Sequence, residues 1–364
     1  MILSLIIFIA LLVLLILVHE AGHFGAAKLF GIRVDEFAVG FPPRLLTIRR
    51  GETEYSINLL LVGGYVKIRG EDLGTDVKDD RSMAARSRPV QAVVVVAGVA
   101  VNLLFGWLAL SAGYMAGMPT SAEYQGFGTV ENIHTTILAV VPGSPAARAG
   151  LQPGDTIQSV TTDSAHIAAT GSASAQVQEF IAAHQDESFV FVLERGGEEQ
   201  NSVLRAEEGV IGGRKAIGIQ MGDIGILQLL PHLALVEGAL AAKDMTVSTA
   251  TGLGMFFGQL LTGKAQWGDV AGPVGIAGLG AGAVQDGFAS AALIVALISI
   301  NLALINLIPI PGLDGGRLLI IATEGLLRRP ISPKIINAFS IAGFALIVVL
   351  MVVVTYHDIA RLVG

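Results

Sequence analysis

Four stretches of the chain carry no charge. Ile2–Val18 has Ser4 as its single polar side chain, and Val90–Met118, Gly287–Leu313 and Ile335–Tyr356 contain no Asp, Glu, Lys or Arg. A helix of about 20 apolar residues crosses the hydrocarbon core of a bilayer. The pattern therefore predicts four membrane helices. Between the first two, residues 37–68 alternate in the manner of strands: Leu45–Ile48, Tyr55–Asn58 and Tyr65–Ile68 are short β-type runs, and Pro42-Pro43, Gly51 and Gly63-Gly64 mark the bends. This predicts a small sheet or a pair of hairpins, with the apolar Leu59–Val62 dipping toward the membrane. Asp72–Arg88 reads as a polar surface linker.

Residues 119–286 form the one long polar region. Val141–Ile157 reads as strand, turn, a short helix ended by Gly150, and a Pro-Gly turn into another strand. Val177, Phe180 and Ile181 mark a helical face, Phe189–Leu193 a buried strand before a Gly196-Gly197 turn, and Ile217-Gly218-Ile219 a closing strand. About 100 residues here suffice for one small globular domain. Residues 227–262 mix apolar and polar positions, as a helix along a membrane surface does, and Gly272-Pro273-Val274-Gly275 breaks the chain again. The expected organisation is 1–118 with the first two spans and the β region, 119–225 as the inserted domain, 226–286 as an interfacial segment, and 287–364 with the last two spans.

Composition agrees with this class. Of 364 residues 52% are hydrophobic and 15% charged, and the mean hydropathy is +0.67, beyond the usual soluble range. There is no Cys, which excludes disulfides and thiolate ligands. A net charge of −7 without a basic stripe gives no sign of nucleic-acid binding.

The chemistry sits where the first apolar run ends, in His19-Glu20-Ala21-Gly22-His23. Helical residues four apart share a face, so both imidazoles can reach one metal ion, and in such motifs the Glu is the general base. Two histidines could merely cap a helix. Ionisable groups in a membrane span are costly, however, and default to function. A signal peptide would want basic residues before its apolar run, but the first here is Lys28. With no Cys, the third ligand must be His, Asp or Glu. Asp314 follows the third span, and successive spans alternate direction, so the ends of spans one and three share a depth. The rival is a solvated Asp in an ordinary Asp-Gly turn. Asn102 in the second span reads first as a helix-packing residue. Lys and Arg concentrate in residues 28–88 and at Arg317, Arg328, Arg329 and Lys334. The positive-inside rule then puts both loops in the cytoplasm and the inserted domain outside.

Taken together these residues resemble the site-2 protease family of intramembrane zinc metalloproteases, in its bacterial regulator-of-sigma-E type. His19-Glu20-x-x-His23-Phe24 is similar to the family's first motif, and Asn306-x-x-Pro309-x-Pro311-x-Leu313-Asp314-Gly315-Gly316 to its second. Gly63-Gly64-Tyr65-Val66 resembles the end of its membrane-reentrant β region, residues 141–157 its PDZ domain, and Gly272–Gly275 a further segment. The second span has Gly98-Val99 where the family often has Gly-Pro. The resemblance implies a polytopic α-helical membrane protein with one inserted PDZ-like α+β domain, in a bacterial inner membrane, with its active site near the cytoplasmic side. It implies one Zn2+ per chain on His19, His23 and Asp314, with Glu20 as catalytic acid and base. Asn301, Asn306, Pro309, Pro311, Asn102, Gly64 and Tyr65 are then candidates for substrate binding. The implied substrate is a single-span membrane protein trimmed outside, such as an anti-sigma factor, with the PDZ-like domain excluding untrimmed chains by bulk. A zinc transporter and an inactive scaffold are the other classes. The first does not explain a Glu placed as base, and the second does not explain an intact motif.

Overall fold

The computed structural model describes residues 2–71, 79–211, 214–264, 272–329 and 331–363. Contacts divide the chain into two compact units, Met1–Ala112 with Gly238–Gly364, and Gly113–Glu237.

The first unit begins with α1 (Ile2–Leu29). Its outward positions, such as Leu3, Ile6 and Ile9, are bare hydrocarbon, as a lipid-facing surface requires. β1 (Val34–Arg50) and β2 (Thr53–Ile68) follow. Each is one long strand bent into two, and the folding gives a four-segment meander. Glu36–Val39 pairs with Glu54–Ile57 on one side and with Gly64–Lys67 on the other, while Leu46–Arg50 pairs with Thr53–Ile57. The order across the sheet is therefore 46–50, 53–57, 36–39, 64–67. One carboxylate joins three of the segments and the bend that precedes the fourth. Glu36, 7% exposed, accepts from Arg44 Nη2 at 3.0 and 2.9 Å, from Ser56 Oγ at 2.9 Å and from Tyr65 OH at 2.9 Å. Phe41, Leu45, Leu46, Leu59, Leu60 and Leu61 are exposed, so the far part of the sheet is an apolar surface. The predicted β runs are all present, longer than the alternation suggested because the bends do not end the strands. The expected linker 72–88 lies outside the described residues over 72–78. Its visible part holds a single 3-10 turn at Met83–Ala85, capped by Ser82.

α2 (Arg88–Ala116) leads into the second unit. That unit consists of β3 (Met118–Ser121), β4 (Glu131–Val140), α3 (Pro145–Arg148), β5 (Thr156–Thr161), β6 (His166–Ala168), α4 (Ser174–Ala183), β7 (Ser188–Arg195), β8 (Glu198–Arg205), β9 (Glu207–Ile211), β10 (Arg214–Ala216) and β11 (Ile219–Leu227). The antiparallel sheet runs β3-β11-β4-β5-β7-β8, with β6 on β5. Ile137, Ile157, Val160, Val177, Phe189, Phe191 and Leu193 make its core. Ser144 caps α3 through its hydroxyl, and Gly150 closes it at φ +79°, where the sequence predicts its end. The closing strand differs. It starts at Ile219 and runs to Leu227, while Ile217 turns into the core. The unit is also wider than 119–225, because β3 pairs with β11 and Leu229 N donates to Tyr114 O at its base.

The chain returns to the first unit through α5 (Pro231–Leu261), α6 (Pro273–Gln285), α7 (Phe288–Leu307), α8 (Asp314–Leu327) and α9 (Pro333–Val363). The break at Gly272-Pro273 is a helix start. Gly272 N and Gly275 N donate to Asp358 of α9 at 3.0 and 2.9 Å, so a buried carboxylate meets the positive end of α6. Among the described residues four helices are long and apolar enough to span a membrane: Leu3–Leu29, Arg88–Ala116, Phe288–Leu307 and Lys334–Asp358.

Candidate metal centre

His19 and His23 lie one turn apart on the inner face of α1, and Asp314 is the first residue of α8. Asp314 reaches them because the loop after α7 doubles back. A Cβ on Gly315 would lie 2.2 Å from Leu307 O, and one on Gly316 2.3 Å from Ile310 O. Only glycines let the first turn of α8 sit on that loop. Arg317, one turn on, holds the turn from outside, donating to Glu71 Oε1 and Glu71 O at 2.6 Å each.

The three side chains converge. His19 Nε2 is 3.1 Å from His23 Nε2, Asp314 Oδ2 is 3.1 Å from His19 Nε2 and 3.3 Å from His23 Nε2, and one donor atom from each lies within 4.8 Å of the other two. Asp314 Oδ2 is buried and accepts no hydrogen bond. The contacts to the imidazoles are therefore proximity without donation. An orphaned carboxylate oxygen facing two ring nitrogens fits a bound cation, and His2Asp suits zinc in ligand type and number. The other nitrogen of His23, Nδ1, is 2.9 Å from Val94 O. A carbonyl can only accept, so Nδ1 carries the proton and Nε2 offers a lone pair to the centre.

α2 forms the back wall. A Cβ on Gly98 would lie 2.4 Å from His23 Nε2 and 2.9 Å from His19 Cε1, and one on Gly22 would lie 2.6 Å from Ala97 O. The two helices touch backbone to backbone because both positions are glycine. In front lies a cavity of about 300 Å³, lined among others by His19, Glu20, His23, Tyr65, Val66, Asn306 and Asp314. Glu20 thus faces the same space as the three donor atoms.

The remaining candidates separate. Tyr65 and Asn306 line the cavity, and Asn306 Nδ2 is 3.3 Å from His19 Nε2. Gly64 gives close approach: a Cβ there would lie 2.8 Å from Ala38 O and 3.8 Å from Glu20 Cγ. Asn301 and Pro309 are not among the lining residues of this cavity, and Pro311 lines a neighbouring one behind Asp314. Asn102 is completely buried beside His19. Sequence reasoning missed Glu36, Gly98 and Arg317. Of these only Gly98 had a signal, since Val94, Gly98 and Asn102 recur every four residues on one face of α2.

Four candidate spans with a His-His-Asp cluster, a glutamate beside it and a sheet at its mouth describe a multi-pass membrane protein whose donor set suits a metal ion. The family model for "Peptidase family M50" matches residues 7–350, and the chain belongs to that family. It is 28% identical to the zinc metalloprotease RasP of Shouchella clausii, over 99% of both chains, and 28% identical to RasP of Oceanobacillus iheyensis, over 98% of both. A protein of Nostoc sp. shares 33% identity over 93% of this chain and 91% of its own length.

Proposed function

We propose that this peptidase is an intramembrane zinc metalloprotease that hydrolyses a peptide bond within the membrane segment of a single-span protein already trimmed outside the bilayer, such as an anti-sigma factor. His19, His23 and Asp314 hold the zinc. The observation that carries this reading is the buried Asp314 Oδ2, which has two imidazole nitrogens at 3.1 and 3.3 Å and no donor of its own. Zinc bound there supplies Lewis acidity to a water and to the scissile carbonyl. Glu20 accepts the proton of the attacking water and returns one to the leaving amine. The names of the RasP relatives support the metal and the reaction class.

The sheet supports the substrate. A helical segment hides its carbonyls in its own hydrogen bonds and must open before cleavage. The segment Gly64–Lys67 is the last in the sheet, paired on one side with Glu36–Val39 among the described residues, and Tyr65 and Val66 line the cavity with Glu20. An opened substrate adds there as a further strand. Asn306 lines the same cavity and contacts the bound chain. We read the 113–237 unit as a PDZ-like domain on the outside of a bacterial inner membrane, with 28–88 in the cytoplasm, a reading supported by the distribution of Lys and Arg. There it excludes untrimmed substrates by bulk.

The test is paired. Glu20→Gln keeps the side chain's size and removes its ability to take a proton. Zinc content should stay at the wild-type level, and cleavage of a single-span substrate should fall about 100- to 10,000-fold. Equal cleavage by the two proteins would exclude the mechanism, and transport of zinc by both without cleavage would make the protein a carrier.

A further inference from the structure

The two histidines are oriented from the same helix. Val94 O holds His23 Nδ1 at 2.9 Å. Two turns further along α2, Asn102 Nδ2 lies 3.4 Å from His19 Nδ1. In that orientation the amide leaves Asn102 Oδ1 buried with no partner, on a residue that is 0% exposed. It would also put the His19 proton on Nε2, toward the nitrogen of His23 and the orphaned oxygen of Asp314. That proton would be taken up by the His23 Nε2 lone pair 3.1 Å away, and His19 would have no lone pair left to offer a metal. Turning the amide over moves no heavy atom and gives Oδ1 the imidazole N–H as its partner. Oδ1 then accepts from His19 Nδ1–H, and Nε2 presents its lone pair to the centre, as His23 already does.

We propose that Asn102 is a positioning residue for the metal, fixing the tautomer and the ring plane of His19, and not a substrate contact. Its place supports this. Asn102 does not line the cavity in front of Glu20. Its backbone carbonyl accepts from Ser299 Oγ of α7 at 2.8 Å, and Ser299 is 0% exposed. The residue is thus anchored on two sides, with its amide left to face one imidazole. Val94, Gly98 and Asn102 form one stripe of α2 in which a carbonyl orients the first histidine, an absent side chain makes room, and an amide orients the second.

The inference rests on the zinc reading above. It is tested on the full-length protein in detergent by titrating zinc against a chromophoric chelator, with the visible spectrum of the Co2+-substituted protein as a second readout. Asn102→Asp retains an acceptor and loses the amide donor. It should bind zinc about as tightly as wild type and keep the Co2+ spectrum. Asn102→Leu removes the acceptor and should weaken zinc binding about 10- to 100-fold. At saturating zinc the KM for substrate should not move in either variant. Zinc binding that drops with Asp would overturn the proposal without needing the Leu variant to fold, because it would show that the amide nitrogen is the group required. So would unchanged affinity with Leu, or a raised KM with zinc binding intact. If wild type itself binds no zinc, both readings fall. If wild type binds and the variants do not differ, this one alone falls.

Discussion

Asp155 is buried and Asp314 is half-buried with its Oδ2 shielded from solvent; they lie in different units, and their surroundings have opposite character. Asp155, 1% exposed, is saturated: Arg195 donates to both of its oxygens at 2.5 and 2.6 Å, and Gln152 N adds a third bond at 2.9 Å. Asp223 of the same unit takes Ser172 Oγ, Ser174 N, Ser174 Oγ and Thr135 Oγ1. Asp314 faces two imidazole nitrogens and its Oδ2 has no donor. A carboxylate that holds a fold together fills its lone pairs with protein donors. One proposed to hold a cation leaves a lone pair open toward other acceptors, an arrangement that a cation would relieve.

The contrast is sharpest at Asp314 itself. Asp314→Asn keeps the shape and removes the anionic ligand, so zinc content should collapse and cleavage should fall at least as far as in Glu20→Gln, while the melting temperature of the zinc-free protein should hold or rise. Elemental analysis and a thermal melt of the same preparation decide this. A metal-free melt that drops sharply would make Asp314 a structural residue like Asp155.

The reverse pattern is expected at Asp155. Arg195→Ala should destabilise the unit by roughly 3 kcal/mol, because it strands a buried carboxylate, and should leave zinc content at the wild-type value. Denaturant unfolding followed by near-ultraviolet dichroism measures the first, and loss of zinc would contradict the second.

Asp223 gives the smallest effect, with a pH signature. Burial alone would raise its carboxyl, but hydrogen bonds from Ser174, Ser172 and Thr135 hold it below the ordinary range. A depressed folded-state value means stability that is complete above the unfolded carboxylate's pKa and is lost as pH falls through the folded one. Asp223→Asn should therefore cost about 1–2 kcal/mol at pH 7, and the gap to wild type should close as the pH drops below that of an ordinary Asp. A gap independent of pH would assign the loss to packing.

These contrasts also show what the sequence could and could not disclose. Runs without charge located the spans, and the spacing of His19 and His23 with the alternation of spans pointed to Asp314, because these signals are periodic or topological. Glu36 gave no signal, since its partners Arg44, Ser56 and Tyr65 are brought together by bends inside two long strands. Val94 works through its backbone carbonyl, which no side-chain pattern encodes. Asn102 was visible as a buried polar residue in a span, but whether it meets a substrate or an imidazole is a matter of a few ångströms across a helix pair. The width of the 113–237 unit was hidden for a similar reason: β3 belongs to it by pairing with β11, although hydropathy assigns its first residue to the span before it.

The last segment of the small sheet, Gly64–Lys67, bears on which proteins this enzyme would consume. An edge strand offers amides and carbonyls, which are the same for every residue, so it reads little of the letters of the incoming chain. On the proposed reading, discrimination would move to the substrate's own opening equilibrium. For cleavage that is slow relative to that equilibrium, turnover is proportional to the fraction of time a span is unravelled beside the edge. Two spans of equal hydrophobicity would then differ in lifetime according to where glycine or proline interrupts them. On that reading susceptibility would be a property written into the mechanical weakness of the target helix, and a single helix-strengthening replacement far from any contact with the enzyme could protect it.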